Sequence, residues 1–238
     1  MSHLGVCISV VPGTLVDYAH LACWHYVGKS PRAPVLVLTA RAQRLATPAG
    51  VLVVTRPTLN GAWRAAAWPG WLTGLGKRDS AQRINAELRC IARVVVDPRT
   101  RGLGVAGALI RHYLAAPLTP KTEAVARMGL VVPMFVSSGM RRVDGLHPSA
   151  QLSRLRSALA AAGVRTWELA DTRVRRRVER DAGLMRRWCV WAQSAPGARG
   201  AIASAGLVEG TWPAVACDAS AFVHENNQPG GKDAEGVG

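Results

Sequence analysis

What the chain lacks narrows the field first. Its five cysteines, Cys7, Cys23, Cys90, Cys189 and Cys217, are scattered through 238 residues. None forms C-x-x-C and the number is odd, which argues against a disulfide framework or a zinc knuckle. Cys23 and His25 come nearest to a metal pair, and a half-buried helix end accounts for them better, so no metal is expected. No apolar run reaches the roughly 18 residues of a membrane span, and no basic segment precedes an apolar core at the N-terminus. These absences lead to the expectation of a cytoplasmic protein without membrane contact. Acidic side chains are scarce, 15 against 30 Lys plus Arg, for a formal net charge of +15. Lysine is rare among the basic residues. An excess of this size suggests a polyanionic partner, nucleic acid first, or else an arginine-biased soluble surface. Phenylalanine and tyrosine are few, two and three, while tryptophan reaches eight.

The stretch that is present in strength runs from Cys90 to Leu114, CIARVVVDPRTRGLGVAGALIRHYL. Ile91 to Val96 is a short β-branched run and reads as a buried strand. Asp97-Pro98 ends it, because proline has no N–H for a ladder and restricts the residue before it. Arg99, Arg101, Gly102 and Gly104 form a basic glycine turn, and Val105 to Leu114 has helical spacing. Strand, glycine turn and helix together can hold a phosphate: bare N–H groups at the helix N-terminus face the anion, and glycine lets backbone approach it. Gly102, Gly104 and Gly107 spell G-x-G-x-x-G, with Glu123 about 20 residues on, as at a dinucleotide site. In that fold, however, the glycines follow the strand almost at once, and here five residues intervene. A turn with no ligand is the remaining alternative, and it does not need two arginines beside three glycines.

The rest of the chain supplies alternating elements. Val6 to Val11 is a first strand. Thr14 and Asp17 stand in a capping-box-like arrangement before a helix that ends at His25-Tyr26 and Gly28. Val35 to Ala40 and Val51 to Thr55 form a hairpin. Asn60 to Asp79 holds Trp63, Trp68 and Trp71. A loop this long suggests a lid or a base-stacking surface, or rings that pin it to the core. Gly70 to Lys77 approaches a P-loop, but its first glycine is out of place and Arg78 replaces Ser or Thr. Ser80 to Glu87 is a short helix leading into the central strand. Glu123 to Ala126 is a strand, Pro133 to Ser138 a short helix, and Val143 lies in a further strand. The class is α/β, a mixed (α+β) sheet with helices on its faces.

Arg101-Gly102-Leu103-Gly104-Val105-Ala106, after a strand ending V-x-D-P, resembles the coenzyme A pyrophosphate loop of the GNAT acetyltransferase superfamily, Arg/Gln-x-x-Gly-x-Gly/Ala. The resemblance extends over the element order from Val6 to about Trp167. It implies a central sheet in which two parallel strands, here Ile91–Val96 and Glu123–Ala126, splay apart to admit the pantetheine arm. It implies acetyl-CoA or another acyl-CoA as co-substrate, held by Val94, Val95, Val96, Arg101, Gly102, Leu103, Gly104, Val105 and Ala106. Gly139-Met140 is similar to the family's Gly-Phe pair. The chain also resembles uncharacterised GNAT-type proteins sharing His-Tyr, Arg-Pro-x-Leu-Asn and Cys-Ile-Ala-Arg-Val-Val-Val-Asp-Pro. Two positions depart from the superfamily: Met128 replaces an asparagine, and Phe135 replaces the tyrosine that protonates the leaving thiolate. Tyr26, Tyr113 or a water would have to serve. A narrower resemblance, to phage Mom-type proteins that modify adenine in DNA, rests on His25-Tyr26, Glu87-Leu88-Arg89 and Phe135 before Gly139-Met140.

From His147 the composition changes. Ser149 caps a helix of Leu152, Leu155 and Leu159, and Val164 to Trp167 is expected to add a last strand. Glu168 to Gln193 reads as a basic helical stretch in which Arg173, Arg175, Arg176, Arg177 and Arg180 are candidates for nucleic-acid phosphates. The bland alternative is a solvated helix anchored by Trp188 and Trp191. Ser194 to Gly238, rich in Gly, Ala and Pro, is expected to be loose. The expected division is therefore 1–167, 168–193 and 194–238. The expected function is acyl-CoA-dependent N-acyl transfer to an unidentified amine, with Glu87, His25 and Tyr26 as catalytic candidates. The alternatives are Mom-type DNA modification, or a scaffold without chemistry that binds DNA or RNA. The oligomeric state is open.

Overall fold

The computed structural model describes residues 7–25, 30–43, 45–127, 129, 132–144, 148–195, 202 and 206–226. The chain forms two compact units, one of residues 1–125, 133–144 and 221–238, the other of 126–132 and 145–220.

The first unit is built on a seven-stranded mixed sheet. Its strands are β1 (Ile8–Pro12), β2 (Pro34–Ala42), β3 (Gly50–Thr55), β4 (Leu88–Val96), β5 (Lys121–Ala126), β6 (Arg141–Val143) and β7 (Ser220–Glu225), in the spatial order β1-β2-β3-β4-β5-β7-β6. β1 to β4 pair antiparallel, β4 and β5 pair parallel, and β6 pairs antiparallel with β7. Every residue of β3 is buried, as expected for an apolar run covered on both faces. On one face α1 (Leu15–Leu21) sets Tyr18 and Leu21 against Val37, Val51, Val53 and Val95. Asp17 accepts the Thr14 N–H at 2.9 Å, which fixes the start of that helix. α4 (Val105–Ala115) packs on β3 through Gly50, where an added Cβ would meet Val105 Cγ1 at 2.6 Å. Only glycine allows this approach, and it brings the first turn of α4 down onto the sheet. α2 (Trp63–Ala67) and α3 (Lys77–Glu87) precede β4. The helix expected over Pro133–Ser138 is reduced to a 3-10 turn, Val136–Ser138.

The second unit is helical: α5 (Ala150–Ala161), α6 (Thr172–Arg180), α7 (Ala182–Ser194) and α8 (Leu207–Ala216). Leu155, Leu159, Leu169, Val178, Trp188 and Val208 are among the buried residues of its core. Trp188 Nε1 donates to Thr211 Oγ1 at 2.8 Å, so the polar edge of the largest core ring is satisfied.

Three expectations about the C-terminal half are corrected. Val164–Trp167 is not a strand: Val164 is buried in the helical core and Thr166–Ala170 is a 3-10 turn. The last strand is Ser220–Glu225, which lies between β5 and β6. The segment after Ser194 is not uniformly loose, because α8 buries Val208, Thr211 and Val215 despite Pro213 in its interior, and β7 buries Phe222 and Val223. The basic stretch is two helices rather than one. Asp181 breaks it and accepts the N–H groups of Gly183 and Leu184 at the start of α7. The structure thus divides the chain differently from 1–167, 168–193 and 194–238, with a helical segment inserted between β6 and β7.

Candidate functional site

The site begins with an interruption in the sheet. β4 pairs with β3 along almost its whole length, from Cys90 opposite Thr55 to Val96 opposite Gly50. With β5 it pairs only from Leu88 opposite Lys121 to Ile91 opposite Ala124. Val53 faces Arg93 and Val54 faces Ile91, so Ala92 is an extra residue in β4. Such a bulge bends a strand and ends pairing on one side. Among the described residues no strand pairs with the second edge of β4 beyond Ile91, so along residues 92–96 that edge is left without a described ladder partner. Val95 is buried toward α1, while Val94 and Val96 are half-buried.

The glycine loop follows directly. Asp97, 5% exposed, accepts the Arg99 N–H at 2.8 Å and the Arg99 guanidinium at 3.0 and 2.8 Å. These bonds hold its carboxyl below the usual carboxylate value. Asp97 N–H and Thr100 Oγ1 both donate to the Ala49 carbonyl, at 3.0 and 2.9 Å, so the loop is tied to the approach to β3. Gly102 and Gly104 have φ of +82° and +79°, which L side chains rarely adopt. No side chain caps α4, so its first-turn N–H groups have no partner within the helix and carry its positive dipole end. Arg101 is exposed, with Nε 3.4 Å from the Val96 carbonyl. A Cβ on Gly107 would sit 2.9 Å from Arg111 Nη1, so the Arg111 guanidinium lies back along the helix toward the loop. Arg111 was not singled out from sequence; its signal was the i, i+4 spacing from Gly107. Leu103, Val105 and Ala106 complete the turn, with Val105 buried.

An extended ligand with an anionic segment fits this arrangement. The unpaired edge of β4 offers strand backbone to pair with it, and the loop offers N–H groups and two guanidinium groups to the anion. The dinucleotide grammar loses its acid, because Glu123 is 1% exposed and engaged elsewhere. It takes Arg64 bidentately, at 2.6 and 2.9 Å, and Trp63 Nε1 at 2.9 Å. Arg64 also donates to the carbonyls of Thr58 and Leu59, so one buried ion pair fastens the tryptophan segment to β5. Trp68 and Trp71 are buried and meet edge to face at 5.3 Å. Of the two roles open to these rings, pinning is the one observed.

The catalytic candidates fare differently. Glu87 accepts Trp71 Nε1 at 2.7 Å and Arg83 Nε at 3.0 Å, so it anchors the tryptophan segment. His25 is half-buried and follows the 3-10 turn Ala22–Trp24, which packs on β4. Tyr26 and Met128 lie outside the described residues. Phe135 is 3% exposed and stacks on Phe222 at 5.0 Å, so this position is a core ring. Tyr113 is buried beside Thr122, near the paired end of β5, and desolvation pushes its hydroxyl pKa up. Burial, with Glu123 opposite, pushes the Cys90 thiol up to about 12, so it stays protonated and is no nucleophile at neutral pH. No group of three or more His, Cys, Asp and Glu suited to a metal occurs among the described residues.

Two cavities flank this region. One of about 350 Å³ adjoins the start of the loop, lined by His20, Trp24, Thr47, Asp97 and Arg99 among others. The other, about 290 Å³, lies at the paired end of β4 and β5, lined by Trp68, Trp71, Lys121 and Glu225. Lys121 is paired there with Glu225 at 2.7 Å and stands 5.9 and 5.6 Å from the two rings.

The arginines expected to meet phosphate do not form one set. Arg175 is 7% exposed; its guanidinium bonds Glu209 at 2.6 and 3.2 Å, the Leu169 and Ala170 carbonyls and Thr172 Oγ1. It is therefore a core residue and is withdrawn as a nucleic-acid contact. Arg173, Arg176, Arg177 and Arg180 are exposed. No described helix is long and apolar enough to cross a membrane.

No family model matches the chain, and no curated protein does. Among solved structures it is similar to NAA60 of Arabidopsis thaliana in complex with acetyl-CoA, at 13% identity and a TM-score of 0.43, over 59% of this chain and 88% of that one. It is also similar to a polyamine N-acetyltransferase of Drosophila melanogaster that forms N-acetylagmatine, at 14% identity and a TM-score of 0.37, over 60% and 90%.

Proposed function

We propose that the protein is an acyl-CoA-dependent N-acyltransferase acting on an amine. One observation carries this: β4 and β5 part after Ile91 and Ala124, and the unpaired edge of β4 leads straight into the glycine loop before α4, where Arg101, Gly102 and Gly104 are exposed. The pantetheine arm pairs with the backbone of Val94 to Val96. The pyrophosphate takes the N–H groups of Gly102, Gly104, Val105 and Ala106, the Leu103 N–H being engaged by the Thr100 carbonyl, with Arg101 and Arg111 beside them, charge-assisted bonds worth about 1.5–3 kcal/mol each. In the reaction the amine nitrogen attacks the thioester carbonyl, the N–C bond forms, and the C–S bond breaks. The thiolate takes up a proton, and the amine gives one up to a base. Glu87 is bonded to Trp71 and Arg83 and anchors that segment; the base proposed is His25, with Tyr26 next to it in the sequence. Phe135 has no hydroxyl and its ring is stacked in the core, so the proton for the thiolate comes from water or Tyr26. Acetyl is the expected acyl group.

Arg101→Glu with Gly104→Asp is expected to abolish acetyl-CoA binding in calorimetry. Because Gly104 has a φ of +79°, Asp there also strains the turn, so Arg101→Glu alone, at an exposed side chain, serves as the variant that should weaken binding with the melting temperature little changed. Binding that persists in the double variant would remove the loop from the site, and binding of NAD in place of acetyl-CoA would transfer the site to the dinucleotide class. The buried stack of Phe135 on Phe222 favours a second reading, a scaffold that binds acyl-CoA without transferring its acyl group. A mass shift on polyamines, peptides or nucleic acid incubated with protein and acetyl-CoA, lost in His25→Gln while binding is retained, decides for the transferase.

A further inference from the structure

The exposed side of α6 is strongly basic. At 100° per residue, Arg173, Arg176, Arg177 and Arg180 fall within a sector of about 100° and span about 10 Å of helix. Val174, Arg175 and Val178 occupy the opposite side and are turned into the unit. Among the described residues no carboxylate pairs with the side chain of Arg173, Arg176 or Arg180. Asp171 and Asp181, at the two ends of the helix, accept backbone N–H groups as caps. Arg177 Nη2 lies 3.3 Å from the carbonyls of Ala162 and Gly163, where α5 ends. This contact joins the arginine face to the next segment, in which Trp167 is 63% exposed with the Arg165 guanidinium 4.7 Å from its ring, that guanidinium being itself paired with Glu168 at 3.2 Å.

We propose that this face, Arg173, Arg176, Arg177 and Arg180 with Arg165 and Trp167 beside them, binds a single-stranded nucleic acid. The guanidinium groups match a row of phosphates, and the exposed indole offers a platform on which an unpaired base can stack. An anionic membrane is disfavoured by the same geometry. An interfacial helix inserts a free apolar face, and the apolar side of α6 is already buried in its own unit. A duplex gives Trp167 nothing to stack on. The proposal stands on the helical unit alone and does not depend on what the glycine loop holds.

The test uses the full-length protein and fluorescein-labelled oligo-deoxythymidylate and oligo-uridylate, followed by anisotropy across a sodium chloride series. Each phosphate contact on a single strand contributes about −0.7 to the slope of log affinity against log salt, so four contacts give about −2.8. Arg173→Ser, Arg176→Ser and Arg180→Ser together should reduce the magnitude of the slope by about two. All three residues are exposed, so the melting temperature should hold and acetyl-CoA binding should not change. Trp167→Ala should weaken binding about tenfold while leaving the slope alone. A slope near zero, or one that the triple variant leaves intact, overturns the proposal. Tighter binding to a duplex of equal length with Trp167→Ala silent overturns it as well, as does preference for phosphatidylserine vesicles over both oligonucleotides.

Discussion

In the sheet unit, three arginines around the site end on carboxylates of their own unit, Arg64 on Glu123, Arg83 on Glu87 and Arg99 on Asp97, while Arg101 and Arg111 stay exposed beside the glycine loop. In the helical unit Arg175 is held in the same way by Glu209, but its neighbours Arg173, Arg176 and Arg180 are not. The first unit uses most of these arginines to fasten loops and keeps two, with backbone N–H groups, beside the glycine loop. The second uses one arginine to fasten its core and presents the others outward. A net charge of +15 therefore does not describe one basic surface. Some of that charge is structural and neutralised, and some is available to a partner.

The comparison breaks most sharply at the buried pair. Glu123→Gln leaves the Arg64 guanidinium buried without its counter-charge, so it is expected to cost about 3–5 kcal/mol. Urea unfolding would register this, together with loss of hydrogen-exchange protection in β5 and α2. A loss below about 1 kcal/mol would mean that Arg64 is not fixed by charge.

A smaller effect is expected at the loop. Asp97→Asn weakens the cap on the turn and its charge-assisted bonds to Arg99, about 1 kcal/mol. The pH dependence has a definite sign. Asp97 is held below its ordinary 3.8, mainly by its hydrogen bonds to Arg99. The stabilisation is therefore fully present above that value and is lost as pH falls through the lower folded one. The stability difference between wild type and Asp97→Asn, measured by denaturant titration, should be constant above about pH 5 and shrink below about pH 4. A difference that grows on acidification would reverse the assignment.

The smallest effect belongs to an exposed pair. Arg142 and Asp144 meet at 3.1 Å with side chains 50% and 81% exposed. Asp144→Asn should change stability by less than about 0.5 kcal/mol, and added salt should erase even that. A clearly larger change would show that surface pairs, too, hold the sheet unit together.

Much of the sheet unit was legible because its signals are local. Ile91 to Val96 reads as a strand from its side chains, Pro98 ends it, and the glycines before Val105 mark a turn into a helix whatever surrounds them. Legibility ended where the deciding partner is distant. β7 hides in a Gly, Ala and Pro-rich region and is a strand because β6, far back in the chain, pairs with it. Arg175 looked the same as Arg173 and Arg176 in a run of arginines. One position of helical phase and Glu209, 34 residues on, put it in the core. Glu87 read as a free base and is held by Trp71. Arg111 became relevant only because Gly107 leaves room for it.

The sequence by itself determined the periodicities, the strand-ending effect of Pro98, the glycine turn before α4 and the excess of positive charge. These depend on backbone preference and composition, which act within a few residues. Only the tertiary structure decided that β4 bulges at Ala92 and parts from β5, that Phe135 is a core ring, and that a helical unit is inserted before β7. It also decided which arginines meet water. Each of these depends on what residues far apart in the chain bury against one another, and burial is settled only when the chain has folded.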